Sequence, residues 1–98
     1  MGSLKEFQDL MKKIYYERDL KRGPYKTALW LISEVGEFSD ALIQFNKSEL
    51  EGEAADILAW LCSICNLLEI NLEEAAFKKY GGKCPKCHSI PCICNKNI

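Results

Sequence analysis

Two pairs of acidic residues have the side-chain type and the spacing to bind a metal ion. They are Glu34 with Glu37, and Glu53 with Asp56. Residues three apart share one face of a helix, so two helices packed side by side would bring four carboxylates to one place. Carboxylate oxygens are the ligands that hard divalent cations such as Mg²⁺ and Mn²⁺ prefer. A Mg²⁺ ion held in this way would suit chemistry on phosphates.

The alternative is that these acids lie on a solvated helix face. Two features of the sequence weigh against it. Apolar side chains, two tryptophans among them, flank the pairs at residues 29–32 and 57–61. In addition, the small residues Gly36, Ala54 and Ala55 lie between the acids, where they would let two helices approach closely and leave room for a ligand.

Four predicted helices must position these acids. Apolar residues recur at helical spacing along the first eighty residues. The predicted helices run over residues 3–21, 25–45, 48–68 and 71–80. Gly23-Pro24 separates the first two, and Ser48 with Glu51 has the form of a capping box at the start of the third. No segment has the alternation of a strand. We therefore expect an all-α fold, an antiparallel bundle of about four helices over residues 1–82.

The bulk composition narrows the range of partners. The chain has 98 residues and a net charge of −1, which fits one small domain without the basic field that recruits nucleic acid. No apolar run is long enough to span a membrane, and the first residues do not have the layout of a signal peptide. We therefore expect a cytoplasmic protein that binds neither membranes nor nucleic acid.

A cysteine-rich tail, residues 83–98, follows the helical part. It contains Cys84, Cys87, Cys92 and Cys94. Zinc prefers four tetrahedral thiolates, and a short C-x-x-C turn presents two sulfurs to one ion, so we predict a structural Zn²⁺ site. His88 in place of one thiolate, an iron–sulfur cluster and a pair of disulfides are the other interpretations. The remaining two cysteines, Cys62 and Cys65, lie inside a predicted helix and are expected to be buried apolar side chains.

The acidic motifs resemble those of a known family. Residues 28–42 read ALWLISEVGEFSDAL and residues 51–61 read EGEAADILAWL. They resemble the all-α MazG-like nucleoside triphosphate pyrophosphohydrolases, whose superfamily includes dimeric dUTPases and dCTP pyrophosphatases. Their signature is E-E-x-x-E, a spacer and E-x-x-D on two antiparallel helices. Ser33 stands where the signature has its first Glu. The resemblance covers residues 4–80 and does not extend to the cysteine-rich tail.

The resemblance implies an activity and roles for particular residues. Members cleave the α–β anhydride of a nucleoside triphosphate with Mg²⁺ (or Mn²⁺). Here Glu34, Glu37, Glu53 and Asp56 would hold the metal, and Glu34 or Glu37 would act as the base. Lys79 matches a lysine that members place near the phosphates; the alternatives are its neighbour Lys78 and a solvated charge.

Two tryptophans and the assembly complete the prediction. Trp30 and Trp60 each lie four residues from an acidic pair, where they would stack on a nucleobase or pack in the core.

The family forms dimers and tetramers, so we expect a homodimer or homotetramer. The competing hypothesis is a non-enzymatic zinc-binding adaptor whose helical part only oligomerises.

Overall fold

The chain folds into four helices. The computed structural model describes residues 2–95. Helix α1 spans Leu4–Arg22, α2 spans Pro24–Gln44, α3 spans Lys47–Leu67 and α4 spans Leu72–Lys79. No strand occurs among residues 2–95, so the all-α prediction is confirmed. Every predicted helix is present, and its ends lie close to the expected residues.

The break between α1 and α2 depends on one glycine and one proline. Gly23 has a φ of 84°, which lies in a backbone region that residues with a Cβ atom rarely adopt. Pro24 occupies the first position of α2, where its fixed φ fits the helix and its missing N–H costs nothing. The chain therefore changes direction within a single residue, and α1 packs back against the rest of the bundle.

The start of α3 differs from the prediction. Asn46, not Ser48, is the N-cap, and its side chain accepts a hydrogen bond from the Glu49 N–H at 3.2 Å. Phe45 ends α2 in the left-handed region with a φ of 50°, which leaves Asn46 extended and ready to cap the next helix. Since asparagine caps at least as well as serine, the cap lies two residues before the predicted one. The predicted Ser48–Glu51 capping box is therefore wrong.

Helix α3 is the centre of the bundle. It packs against α2 on one side and α1 on the other, while α4 packs against α1. The short connection at Phe45 and Asn46 makes α2 and α3 antiparallel neighbours. Buried apolar residues are few: Met11, Ala41, Cys62 and Cys65. Both helical cysteines are buried, as expected, and burial raises the pKa of Cys62 to about 11, so neither thiol is a reactive one.

A buried polar network aligns α1 with α3. The Gln8 side-chain amide donates to the Asn66 carbonyl oxygen at 3.0 Å and to the Ile70 backbone carbonyl at 2.7 Å. Asn66 in turn donates to the Gln8 backbone carbonyl, and the Leu72 N–H donates to Gln8 Oε1. Because each of these buried groups has a partner, the network fixes one position of α1 along α3 and so places the second half of α1 beside the acidic pairs.

Within the described part of the chain, no single helix is both long and apolar enough to cross a bilayer. Helices α3 and α4 have this length and apolar composition only when they are taken together, and the chain bends by 101° between them.

Candidate functional site

The antiparallel packing of α2 and α3 brings the two acidic pairs together. Glu34, Glu37 and Glu53 each offer a carboxylate oxygen, and these atoms lie within 4.8 Å of one another. We call these three residues the acidic cluster. Asp56 lies one turn after Glu53 and lines a cavity together with Glu34. The structure thus gathers acids from both helices, the arrangement that the spacing predicts.

Like charges are crowded in the acidic cluster. The pKa of Glu53 is raised above its ordinary value of 4.5, first by burial and then by the charges of Glu37, Glu34 and Asp56. Among residues 2–95, no Lys or Arg forms a salt bridge with any of these acids. The cluster therefore offers several hard oxygen ligands and an uncompensated negative charge, which together fit a divalent cation.

Both tryptophans lie beside the acidic cluster. The Trp60 indole N–H donates to Glu34 Oε2 at 3.1 Å, so the ring fixes one acid of the cluster. Trp30 stacks on Trp60 with 5.9 Å between ring centroids and 12° between ring planes. The Arg22 guanidinium lies 5.0 Å from the Trp60 ring centroid. Trp30 keeps about half of its surface exposed, so its ring is accessible to a ligand.

Two cavities lie beside the tryptophans, and the inner one adjoins the acids. The inner cavity, of about 310 Å³, lies between α1, α2 and α3, and contains Glu34, Asp56 and Trp60 in its lining. The wider basic cleft, of about 800 Å³, has Trp30 and Ser33 in its wall. It also carries four cationic side chains, namely Arg18, Lys21, Arg22 and Lys26. An anionic, partly aromatic ligand would match this combination of acidic cluster, aromatic rings and cations.

Helix α1 supplies residues that the sequence analysis missed. Asp19 is 1% exposed, and its Oδ1 accepts from the Arg22 guanidinium at 2.9 Å. Arg18, Asp19 and Arg22 all line the inner cavity. Their spacing puts these charges on one face of α1 next to Tyr15, but it does not show that this face lies against the acidic pairs.

Lys79 lies outside the linings of both cavities. It is in the last turn of α4, with its ammonium 5.8 Å from the Tyr80 ring centroid, and it lines neither the inner cavity nor the basic cleft. Its contact with phosphates stays a prediction.

The cysteine-rich tail forms a second site, described here through residue 95; residues 96–98 of the predicted tail lie outside the described part. The Sγ atoms of Cys84, Cys87, Cys92 and Cys94 lie within 4.8 Å of one another. Cys84 and Cys94 sulfurs are 3.6 Å apart, and Cys87 and Cys92 sulfurs are 3.9 Å apart. A tetrahedron with Zn–S bonds of about 2.3 Å has edges of about 3.8 Å. The four sulfurs thus have the spacing of a tetrahedral thiolate site.

The hydrogen bonds and the shifted thiol pKa values of this tail also fit a bound cation. The Ile93 N–H donates to Cys87 Sγ at 3.4 Å and lowers the pKa of Cys87 to about 6. In contrast, the sulfurs of Cys92 and Cys84 raise the pKa of Cys94 to about 12. A bound metal would deprotonate these thiols together. All six cysteines of the chain are free thiols in the structure, and His88 is not part of the sulfur cluster.

Comparison with known proteins identifies the family. The profile of the MazG nucleotide pyrophosphohydrolase domain matches residues 22–88, more than half of the chain. The chain therefore belongs to this family, and the predicted resemblance is confirmed. Its predicted bounds, residues 4–80, are not those of the match, which extends into the cysteine-rich tail as far as residue 88. The matched segment contains both acidic pairs and begins at the last residue of α1, so Arg18 and Asp19 precede it. A search of curated proteins gave no match.

Proposed function

We propose that this protein is a Mg²⁺-dependent nucleoside triphosphate pyrophosphohydrolase. It would cleave the α–β anhydride of a ribo- or deoxyribonucleoside triphosphate to give the monophosphate and pyrophosphate. The observation that carries the proposal is the convergence of three carboxylates from α2 and α3 within 4.8 Å, in a chain of the MazG family.

The acids have distinct roles in this proposal. Glu34, Glu37, Glu53 and Asp56 hold the Mg²⁺ (or Mn²⁺), which when bound offsets charge on the phosphate oxygens and lowers the pKa of a coordinated water. Glu37 is exposed, whereas one oxygen of Glu34 is already engaged by Trp60. We therefore assign the general base to Glu37 and a fixed ligand role to Glu34.

The reaction follows from these assignments. Glu37 takes a proton from a water, the water oxygen attacks phosphorus, and the anhydride P–O bond breaks with its electron pair leaving on pyrophosphate. Trp30 and Trp60 contact the nucleotide beside the acidic cluster, and cations of the basic cleft lie on the same side as Trp30. Lys79 remains a proposed phosphate contact.

The cysteine-rich tail is proposed to hold one structural Zn²⁺ through Cys84, Cys87, Cys92 and Cys94. The sulfur spacing of 3.6 and 3.9 Å supports a single tetrahedral ion. Such a short segment has too few apolar residues to build a core of its own, so an ion is a physical means of ordering it.

We also propose that the protein is a homodimer or homotetramer. Tyr25, Leu29, Ile32 and Ile43 lie on one face of α2 at helical spacing, and all are at least 66% exposed. Gly36 lies on the same face, and a Cβ built there meets nothing within 4 Å. A second copy could therefore pack closely along this face, which we call the α2 stripe, and bury it.

A nucleotide screen tests the proposed activity. Nucleoside triphosphates are incubated with the full chain and Mg²⁺, and the products are separated by chromatography. Monophosphate and pyrophosphate are expected. Glu37→Gln should lower turnover roughly 100-fold or more with the helical content unchanged, because it removes the base and a metal ligand. Glu17→Gln, an exposed change on α1, is the matched control and should keep full activity.

Other products would count against the proposal. Orthophosphate as the first product would indicate a phosphatase that attacks the γ-phosphate. If no nucleotide turns over with Mg²⁺ or Mn²⁺, the zinc-binding adaptor becomes the better interpretation.

A further inference from the structure

An incompletely bonded carboxylate lies in the wall of the inner cavity. Asp19 is 1% exposed, and its Oδ1 accepts from Arg22. No donor within the described residues reaches its second oxygen, Oδ2. A buried carboxylate oxygen without a hydrogen bond is unfavourable, so such atoms in native proteins have a bound water or ion as partner, or a function. Neither the bundle's packing nor the proposed chemistry gives Oδ2 a role.

The surroundings of Asp19 fit a nucleobase. The inner cavity is about 310 Å³, at the lower end of the range of small-molecule sites, and it includes the aromatic rings of Tyr15 and Trp60. Glu34 and Asp56 line the same cavity. A nucleotide whose phosphates lie at the acidic cluster can therefore place its base in this cavity, between α1 and α3. Ala59, one turn after Asp56, leaves room there.

Asp19 and Arg22 together present a defined hydrogen-bonding pattern. Arg22 Nη1 donates to Asp19 Oδ1 at 2.9 Å, and the guanidinium has other N–H groups that can donate to a ligand. The pair thus sets an acceptor, Asp19 Oδ2, beside donors from Arg22. Cytosine and adenine carry the complementary edge, an amino group next to a ring nitrogen acceptor. Uracil, thymine and guanine carry a carbonyl oxygen next to a ring N–H, so their acceptor and donor occupy the opposite positions.

We propose that Asp19, paired with Arg22, selects nucleotides whose base carries its amino group at cytosine C4 or adenine C6 over those with a carbonyl at the equivalent position, namely uracil, thymine and guanine. The proposal rests on the proposed nucleotide hydrolysis and names its substrate class. Asp19 accepts from the exocyclic amino group, and Arg22 donates to the adjacent ring nitrogen. Oδ2 is shielded from solvent in the structure, so the base reaches it only if side chains that line the cavity move.

The test compares bases and variants. For the full chain with Mg²⁺, kcat/KM is measured for CTP, UTP, ATP and GTP. We expect CTP over UTP and ATP over GTP, each by about 5- to 150-fold, the usual discrimination of a well-placed base contact. Asp19→Asn should abolish or reverse this preference, because the new amide donates to the carbonyl of uracil. Asp9→Asn, an exposed change on the same helix, should leave it unchanged.

A purely structural role gives a different result. If Asp19 only holds Arg22 in place, Asp19→Asn will lower kcat/KM by one factor for all four nucleotides, and the proposal is wrong. It is equally wrong if the unmodified protein turns over amino and carbonyl bases alike, in which case the hydrolase assignment stands. Arg22→Met is a second variant, should Asp19→Asn not fold, and should also reduce the preference.

Binding separates this proposal from the proposed activity. The α,β-methylene analogues of CTP and UTP are titrated calorimetrically with Mg²⁺ present. Tighter binding of the CTP analogue without any turnover of CTP would reject hydrolysis but support base selection. Equal binding of the two analogues, or no binding of either, would overturn base selection.

Discussion

At the scale of single residues, the acidic cluster combines charge repulsion with ligand geometry. Glu34, Glu37 and Glu53 approach one another closely enough that the pKa of Glu53 rises, with burial as the largest cause. A cation removes the repulsion and uses the same oxygens. The feature that makes the metal-free site unfavourable is therefore the one that suits it to Mg²⁺.

This repulsion predicts how stability depends on pH without metal. The raised pKa means that the folded chain binds the Glu53 proton more tightly than the unfolded chain. The stabilisation is present below pH 4.5 and is lost as pH rises through the folded-state pKa. Glu53→Gln, which stays neutral, should therefore melt at a higher temperature than the unmodified chain near neutral pH, and this advantage should shrink in acid.

Melting curves in EDTA between about pH 4 and pH 7 measure this difference. Glu51→Gln, an exposed change on the same helix, is the control. A melting difference between Glu53→Gln and the unmodified chain that is constant across this range would contradict the argument.

The residues that sequence reasoning found and missed differ in one physical respect. Glu34, Glu37, Glu53 and Asp56 belong to two helices joined by a short turn, so their meeting follows from helical spacing and antiparallel packing. Asp19 reaches the site only because α1 packs against α3, and that register depends on the buried contact between Gln8 and Asn66. Spacing alone does not reveal such a contact between distant segments.

At the scale of elements, the side chain of Asn46 caps the start of α3. Asn46→Ala should lower the free energy of unfolding by about 1 kcal/mol, because the Glu49 N–H loses its acceptor. Ser48→Ala, in the first turn of the same helix, should change it by less than about 0.5 kcal/mol. Urea denaturation of both variants measures this, and a larger effect for Ser48→Ala would reject the assignment of the cap.

The ends of the helices show how far local sequence decides structure. The Gly23-Pro24 break and the Asn71 cap both occur where turn and cap preferences place them. Asn46 and Ser48 compete as caps only two residues apart, and the left-handed conformation of Phe45 decides between them. Asparagine and serine have similar N-cap preferences, so the sequence alone could not decide which of the two residues caps α3.

The cysteine-rich tail is the element whose order should depend on a metal. Untagged protein should contain one zinc per chain by elemental analysis. The double variant Cys87→Ser with Cys92→Ser should lose it, because each change removes a thiolate from the sulfur cluster. Cys65→Ala, which removes a buried thiol in α3, should retain it. Iron with visible absorbance, or protein without zinc, would overturn the assignment.

At the scale of the whole molecule, little apolar surface is buried within one chain. Its buried apolar residues are few, whereas many large apolar side chains, those of the α2 stripe among them, are exposed. Ile32→Glu, in the middle of the stripe, should reduce the molar mass by light scattering to that of a monomer, because it would bury a charge between copies. Lys13→Glu, exposed on α1, should leave the mass unchanged. A monomeric unmodified chain at every concentration would contradict this.

The stacked indoles have a consequence for observing the protein. Trp30 and Trp60 are the chain's two tryptophans, and both lie beside the acidic cluster. All indole emission therefore originates at one location, where α2 meets α3 and where Arg22 contacts a ring. The unlabelled molecule thus carries its own optical probe: in the folded chain, a change in indole emission reports a change at this site.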